Sequence, residues 1–221
     1  MIDRVWAVIV ARAGLGAKTR LAGVLAQPER TLLARAMLAD VLDVCMHTPG
    51  LLDGTVLVAD HAARDLGRHA TRVVRDPGLG DMNAAVRSGV AAAGEQGATT
   101  VVVLPGDVPS ISSADLAHIV CAAGPAPRAV VVGASRDRQG TNALLLRPPG
   151  VIGPAFGPPS VDRHLDMAHA AGALACLVTD LGLSQDVDTP GDLASLSDAR
   201  VGVNTAAALM RLQGRAVAAF I

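Results

Sequence analysis

A strand that runs directly into a glycine-bearing loop is the feature that most constrains the fold of this chain. Residues 5–10 read VWAVIV, a run typical of a buried strand in a parallel sheet. The segment ARAGLGAKTRL follows, and its glycines permit a sharp turn close to a ligand. The same segment contains Lys18, the only lysine among the 19 Lys and Arg residues. Because an ammonium and a guanidinium bind phosphate differently, a single lysine at this place indicates a phosphate contact.

Two common phosphate loops do not match this segment. A Walker loop would need glycine at the positions of Arg12 and Ala17, and a dinucleotide fingerprint would need a third glycine at Thr19. The missing third glycine disfavours a nicotinamide oxidoreductase. The loop retains the cations Arg12, Lys18 and Arg20, whose charge suits a triphosphate, and the alternative is a solvated basic turn.

Composition narrows the class of protein. A chain of 221 residues with 51% hydrophobic residues can bury one large core. A net charge of −1 and an aromatic content of 1% argue against nucleic-acid binding. No apolar run approaches the roughly 20 residues that span a bilayer, and the N-terminus does not resemble a signal peptide, so we expect a cytoplasmic protein that binds small molecules. The three cysteines and six histidines have no metal-site spacing.

The rest of the chain alternates strand patterns with helix patterns, which predicts an α/β fold with a mostly parallel sheet. The runs AVVV at 129–132 and TNALLLR from 141 are joined by a loop too short for a helix, so a local antiparallel segment is expected. Strands are predicted at 5–10, 55–59, 71–75, 100–104, 129–132, from 141 and at 175–178, and helices at 28–45, at 62–69, near 81, near 113, from 161 and from 190.

Aspartates follow two of the predicted strands. Asp107 comes after TVVVL, between two prolines, and ligands of open α/β sheets gather at such carboxyl strand ends. A rigidly held carboxylate suits a metal ligand, and the alternative is a cap for the helix near 113. Asp186 and Asp188 lie two apart in DVDTP, so both would face one side of an extended segment. One or both could join Asp107 around a hard cation.

Polar residues beside glycines indicate anion sites. Asn83 lies at the first turn of a predicted helix, where it can cap the helix or face a ligand. Gly140, Thr141 and Asn142 lie at the antiparallel turn and could offer N–H groups and a hydroxyl to an anion. Ser160 follows FGPP and is predicted as the N-cap of the next helix, whose N-terminus attracts phosphate or carboxylate.

Seven segments in order resemble the guanylyltransferases of coenzyme F420 biosynthesis, a family often called CofC or FbiD. The resemblance spans residues 5–196, and GTNAL followed by FG and then DVDTP makes it specific. The segments are AKTRL at 17–21, QPER at 27–30, GDMNAA at 80–85, LPGDVP at 104–109, GTNALLLRPP at 140–149, GPPSVDRH at 157–164 and DVDTPGDL at 186–193.

The resemblance implies a Rossmann-like nucleotidyltransferase fold with helices on both faces of the sheet, in the broad group that includes the MobA-like molybdenum cofactor guanylyltransferases. It implies transfer of GMP from GTP to a phosphorylated three-carbon acid: phosphoenolpyruvate first, or 3-phospho-D-glycerate or 2-phospho-L-lactate. Mg²⁺ is the implied cofactor. By position, it assigns Arg12, Lys18, Arg20, Asn83 and Pro105 to the nucleotide, Thr141, Gly157, Ser160 and His164 to the acceptor, Asp107, Asp188 and Asp186 to Mg²⁺, and catalysis to Lys18, Arg20 and Asp107.

We expect residues 1–199 to form a single nucleotidyltransferase domain and residues 200–221 a helical extension for packing or homodimer formation. The chain departs from the family where Arg12 replaces a lysine and Met82 replaces a leucine, and arginine keeps the charge but not the geometry of an ammonium. A nucleotidyltransferase acting on molybdopterin or a sugar phosphate is an alternative, although it would not require Thr141 together with Ser160. A catalytically idle nucleotide-binding module would be expected to lose the aspartates.

Overall fold

One seven-stranded sheet forms the centre of the molecule. The computed structural model describes residues 3–48, 50–78, 80–179, 182–196 and 200–218. The strands are β1 (Val5–Ala11), β2 (Gly54–Ala59), β3 (Arg72–Arg75), β4 (Thr100–Pro105), β5 (Ala129–Ala134), β6 (Thr141–Arg147) and β7 (Leu174–Val178). They lie in the order β3-β2-β1-β4-β6-β5-β7. The predicted α/β fold and its seven strands are confirmed.

Helices cover both faces of this sheet, as predicted. Successive side chains of β1 point to opposite faces, so Ile9 packs with Leu38 and Leu116 on one face, while Val8 packs with Val86 on the other. All seven residues of β1 are buried, which explains the unbroken apolar run. The α-helices of the described residues are α1 (Gln27–Met46), α2 (Met82–Glu95), α3 (Ser113–Ala122), α4 (Ser160–Ala170), α5 (Pro190–Ser195) and α6 (Val203–Ala218).

Strand β6 is the reversed strand of the sheet and decides where the site forms. It pairs antiparallel with both β4 and β5, whereas the other strand pairs are parallel. The local antiparallel segment is therefore confirmed. The register pairs Val103 of β4 with Leu144 of β6, so the first residues of β6 lie beside the last residues of β4. Thr141 and Asn142 are thus brought to the edge of the sheet where β1 and β4 end.

One of two local predictions differs from the structure. The short helix predicted at 62–69 is present as a 3₁₀ helix over His61–His69, with Asp60 accepting the N–H of Ala63 at its start. The prediction that Ser160 is the N-cap of α4 is wrong, because Pro159 takes that position and Ser160 is the first helical residue. The reason is that the Ser160 hydroxyl forms a buried hydrogen bond with Thr141 instead of capping the helix. Among the described helices, none is long and apolar enough to cross a membrane.

Helix α6 packs against α1, and one buried carboxylate of α1 binds the first turn of α6. Asp40 is 4% exposed and accepts the N–H groups of Asn204 at 2.9 Å and Thr205 at 2.8 Å, at the first turn of α6. Gly202 passes so close that an added Cβ would lie 2.1 Å from the Asp40 carboxyl carbon. Residues 203–218 thus form a helix, while 219–221 lie outside the described residues, and the extension at 200–221 stays a prediction. The predicted domain boundary after residue 199 falls at the end of residues 197–199, which also lie outside the described residues. This boundary therefore stays a prediction.

We predict that Asp40→Ala lowers the free energy of unfolding by about 1–3 kcal/mol, because two N–H groups of α6 lose a buried acceptor. Urea denaturation monitored by circular dichroism measures the change. The matched control is Glu95→Ala, which removes an exposed ion pair with Arg72 and should change stability by less than about 0.5 kcal/mol. Equal effects of the two substitutions would contradict the anchoring role of Asp40.

Candidate active site

Three charged side chains from distant parts of the sequence meet at the carboxyl ends of β1 and β4. The ammonium of Lys18, from the loop after β1, donates to a carboxylate oxygen of Asp107, which follows β4. The same ammonium donates to Oδ1 of Asp188 at 2.9 Å, in the segment that precedes α5. The two predicted metal ligands therefore face one another across a single cation.

Backbone contacts hold both aspartates in place. The N–H of Gly106 donates to the carbonyl of Val10 at 3.0 Å, and an added Cβ at Gly106 would lie 2.7 Å from the Cβ of Ala11. Only glycine lets the loop before Asp107 approach the end of β1 this closely. Asp188 is held by its N–H, which donates to Asp192 Oδ2 at 3.2 Å at the start of α5. The caps of α3 and α5 are Ser112 and Thr189, so neither aspartate is used as a helix cap.

The ammonium of Lys18 is buried, with 7% of its side chain exposed. Burial alone would lower its pKa, but the charges and hydrogen bonds of Asp107 and Asp188 outweigh this effect and raise the pKa. Lys18 also adopts a left-handed backbone conformation, with φ of +51°. The loop thus turns sharply at this residue and directs its charge inwards.

Asp186 completes a group of three neighbouring carboxylates. Burial raises its pKa, the hydrogen bond from Asn142 Nδ2 at 3.0 Å acts in the opposite sense, and the nearby charges of Asp107 and Asp188 raise the pKa further. A bound cation nearby would therefore stabilise the ionised form of Asp186. Within the described ranges, no set of three or more acidic, histidine or cysteine side chains is arranged to enclose a metal ion. Metal binding by these residues stays a prediction.

A cleft of about 210 Å³ lies beside these charges. Its floor is the end of β1 and its walls are the loop that carries Lys18 and the loop after β4. The predicted nucleotide contacts that line it are Arg12, Lys18 and Pro105, together with Met82, Asp107 and Asp188.

Two further aspartates shape the glycine loop. Asp60, directly after β2, accepts the N–H groups of Ala13 at 3.1 Å and Gly14 at 2.8 Å. Arg12 pairs with Asp76, directly after β3. Burial opposes ionisation of Asp76, but the Arg12 guanidinium and a loop N–H prevail and lower its pKa. The guanidinium of Arg12 is therefore held towards β3, whereas Lys18 points to the centre of the site.

A second cavity, of about 920 Å³, opens on the other side of Asp188. Met82 and Asp188 line both spaces, so the two are adjacent. Arg20 lies at this junction, 3.7 Å from Asp188, with 73% of its side chain exposed. The other predicted site residues that line the larger cavity are Asn83, Thr141, Gly157, Ser160 and Asp186.

Asn83 joins two walls of this larger cavity. Its N–H is bonded to Asp81, which is the N-cap of α2, so Asn83 itself does not cap the helix. Its side chain donates to the carbonyl of Phe156 at 3.2 Å and accepts the N–H of Phe156 at 2.7 Å. This double hydrogen bond holds the segment that contains Gly157 against α2, where Gly157 adopts a φ of +100°.

A buried polar cluster lies at the back of the larger cavity. The hydroxyls of Thr141 and Ser160 are 2.9 Å apart, and Thr141 Oγ1 lies 3.1 Å from Nδ1 of His164. The N–H of Ala155 donates to the other ring nitrogen of His164 at 2.9 Å. His164 is fully buried behind the hydroxyls and does not line the cavity, and burial lowers its pKa to about 4.

Sequence reasoning missed three residues of this region. Asp60 and Asp76 each follow a strand directly, and the strand-end rule applied to Asp107 would have found them. Arg136 lines the larger cavity from the turn between β5 and β6. No local pattern distinguishes it from Arg138 two residues later, so only the folded turn shows which arginine faces the cavity.

The fold is similar to the folds of solved nucleotidyltransferases. A nucleotidyl transferase from Methanothermobacter superposes with a TM-score of 0.66 at 22% identity and covers 89% of this chain and 97% of its own. A 4-diphosphocytidyl-2C-methyl-D-erythritol synthase from Anaerococcus prevotii superposes with a TM-score of 0.58 at 12% identity, covering 87% of this chain and 95% of its own. These likenesses define the fold.

Residues 6–208 match the family described as guanylyl transferase CofC like, and the chain belongs to this family. The phosphoenolpyruvate guanylyltransferase of Conexibacter woesei is 39% identical over 194 residues, which cover 87% of each chain. The 3-phospho-D-glycerate guanylyltransferase of Phenylobacterium zucineum is 35% identical over 213 residues, covering 95% of this chain and 97% of its own. The resemblance found in the sequence is therefore confirmed.

We predict that His164 makes folding stability depend on acidity. Its folded pKa of about 4 lies below the ordinary value of 6.5, so the unfolded chain binds the proton first as the pH falls. The contribution of His164 to stability should be lost between pH 6.5 and 4, by up to about 3 kcal/mol, and this contribution changes no further below that range. Urea denaturation across this range measures the loss, and His164→Asn should flatten the curve relative to wild type. An identical pH dependence of stability for wild type and His164→Asn would contradict the role of His164.

Proposed function

We propose that the protein transfers GMP from GTP to phosphoenolpyruvate and releases pyrophosphate. Family membership and the names of the curated relatives support guanylyl transfer to a phosphorylated three-carbon acid. The single observation that carries the proposal is that the two cavities meet at Met82 and Asp188, beside Lys18 and Asp107, since two substrates must meet where the nucleotidyl group moves. A second candidate acceptor is 3-phospho-D-glycerate, favoured by the relative from Phenylobacterium zucineum. A cytoplasmic location and homodimer formation belong to the proposal as expectations from the sequence.

In this proposal, the smaller cleft receives the triphosphate of the nucleotide. Lys18 lines this cleft, Arg20 lies 3.7 Å from Asp188 where the two cavities meet, and both hold the triphosphate, while Pro105 contributes to the wall. Arg12 contributes positive charge from the side of β3. Asn83, which the resemblance assigns to the nucleotide, lines the larger cavity, and its side-chain amide fixes the segment at Phe156.

The larger cavity receives the acceptor. Thr141 and Ser160 offer hydroxyls, and the positive φ of Gly157 turns the backbone beside them. These groups lie on the far side of Asp188 from the cleft, so an acceptor phosphate held by them would face the nucleotide across the junction. Holding both substrates in line supplies much of the catalysis, because the acceptor phosphate is already anionic and needs no general base.

In this proposal, Asp107 and Asp188 would hold a Mg²⁺ ion, and Asp186 is the carboxylate beside them. The fit rests on the Lys18 ammonium, which already occupies a cation position between the first two aspartates. When bound, Mg²⁺ would neutralise phosphate oxygens and favour the departure of pyrophosphate. The residues themselves orient the phosphates: an oxygen of the acceptor phosphate forms the new bond to the α-phosphorus, and the bond to the pyrophosphate oxygen breaks.

The proposal is tested by incubating the protein with GTP, Mg²⁺ and one acid at a time: phosphoenolpyruvate, 3-phospho-D-glycerate or 2-phospho-L-lactate. We expect pyrophosphate release and a guanylylated product, detected by mass spectrometry, to be fastest with phosphoenolpyruvate. Replacing GTP with CTP is the nucleotide control. Faster turnover of another acid would overturn the choice of acceptor, and no turnover with any acid would overturn the proposed function.

We predict that Asp107→Asn lowers kcat by at least about 100-fold, because the carboxylate charge at the junction is lost. Lys18 also loses a charged partner, so circular dichroism must first show that the variant is folded. Asp166→Asn is the control, since Asp166 is exposed on α4 away from both cavities. Near-normal turnover by folded Asp107→Asn protein would remove Asp107 from the catalytic set.

A further inference from the structure

The buried ring of His164 has hydrogen bonds at both nitrogens, and one of them has a fixed direction. Nε2 lies 2.9 Å from the backbone nitrogen of Ala155, and an amide N–H can only donate. Nε2 must therefore be the acceptor and carry no proton. The ring is fully buried and its pKa is lowered to about 4, so it is neutral at pH 7. Its single proton then lies on Nδ1.

This tautomer sets the direction of the next two hydrogen bonds. Nδ1–H donates to Thr141 Oγ1 at 3.1 Å, so the hydroxyl of Thr141 keeps its own proton for another acceptor. The nearest partner is Ser160 Oγ at 2.9 Å, which therefore accepts. The proton of Ser160 remains, and its only protein acceptor among the described groups is the carbonyl of Gln139 at 3.5 Å.

That carbonyl is a weak competitor for the Ser160 proton. It already accepts the N–H of Ser160 at 2.9 Å, and a hydroxyl contact of 3.5 Å is at the limit of hydrogen bonding. Ser160 also lines the larger cavity. An anionic oxygen placed in that cavity would be the stronger acceptor, because hydrogen bonds to charged groups are shorter and stronger.

We propose that His164 is a positioning residue that directs the Thr141 and Ser160 hydroxyls so that Ser160 donates its proton to an anionic oxygen of the acceptor. The inference rests on the proposed function for the identity of the acceptor, whereas the direction of the hydrogen bonds rests on the structure alone. With the opposite tautomer, Thr141 would donate to the ring and Ser160 would donate to Thr141. The cavity would then face hydroxyl lone pairs, which repel an anion.

The ring is also held in the required orientation. Phe156 packs edge-on against His164 with ring centroids 5.2 Å apart, and the Phe156 backbone is itself held by the side chain of Asn83. A 180° flip of the ring would place carbon atoms opposite Ala155 and Thr141. Both hydrogen bonds would be lost, so the observed orientation is the one that satisfies both nitrogens of the buried ring.

The direction of the hydrogen bonds is tested on wild-type protein by ¹⁵N NMR of labelled histidine at pH 7, with His164 assigned by comparison with His164→Asn. We expect a protonated nitrogen at Nδ1 and an unprotonated nitrogen at Nε2. This experiment needs no activity, so it remains informative even if guanylyl transfer fails. A proton on Nε2 would overturn the inference.

The effect on the acceptor is tested by kinetics with GTP and phosphoenolpyruvate. His164→Gln can accept from Ala155 but loses the donor to Thr141, and should raise KM for phosphoenolpyruvate about tenfold with KM for GTP unchanged. His164→Asn keeps an amide N–H near the position of Nδ1 and should recover most of that loss. His169→Gln, an exposed histidine on the same helix, is the control. Equal losses in the Asn and Gln variants, or an equal rise in KM for GTP, would overturn the inference.

The Thr141→Val variant distinguishes a positioning role of His164 from a merely structural one. If His164 acts through the threonine hydroxyl, His164→Gln should have little further effect on the phosphoenolpyruvate KM once Thr141 is valine. Additive effects in the double variant would overturn the inference. Wild-type protein that shows no turnover with any acceptor would instead overturn the proposed function, while the ¹⁵N experiment would still decide the direction of the hydrogen bonds.

Discussion

The buried ammonium of Lys18 is the contact on which the site depends, because it joins three separate segments of the chain. A buried charge is costly unless it is paired. Here the partners are Asp107, in the loop after β4, and Asp188, in the segment that precedes α5. Removing one aspartate would leave a buried charge less well compensated. The same contact places two carboxylates around one cation position, so the arrangement that stabilises the fold also prepares the site for charged ligands.

The reversed strand β6 gives this centre its second cavity. In a purely parallel sheet, the strand next to β4 would begin at the opposite edge, and Thr141 would lie far from Asp107. The antiparallel pairing instead brings the start of β6 to the carboxyl end of β4. The smaller cleft and the larger cavity then meet at Met82 and Asp188. Two substrates can therefore be held on either side of one group of charges, which is what a transfer reaction requires.

Much of this arrangement could be predicted locally. The apolar runs of β1 and β4 identify buried strands, and the position of Asp107 just after a strand predicts its place at the sheet edge. The short connection between β5 and β6 predicts their antiparallel pairing. The prediction that Ser160 is the N-cap of α4 was wrong because a serine after prolines has the usual pattern of a helix cap. Its hydroxyl instead contacts Thr141, a partner 19 residues away that no helix-start pattern contains.

The sequence by itself determined the fold class, the family and the residue types that gather at the strand ends, because hydrophobic periodicity and strand-end chemistry act over a few residues. Only the tertiary structure decided which of these groups touch. The ammonium of Lys18 donates to Asp188, which lies 170 positions away in the chain. The N–H of Ala155, in the segment before α4, fixes which ring nitrogen of His164 carries the proton. Such contacts depend on strand order, register and burial, which local patterns do not encode. The direction of a buried hydrogen bond is therefore visible only when every partner is in place.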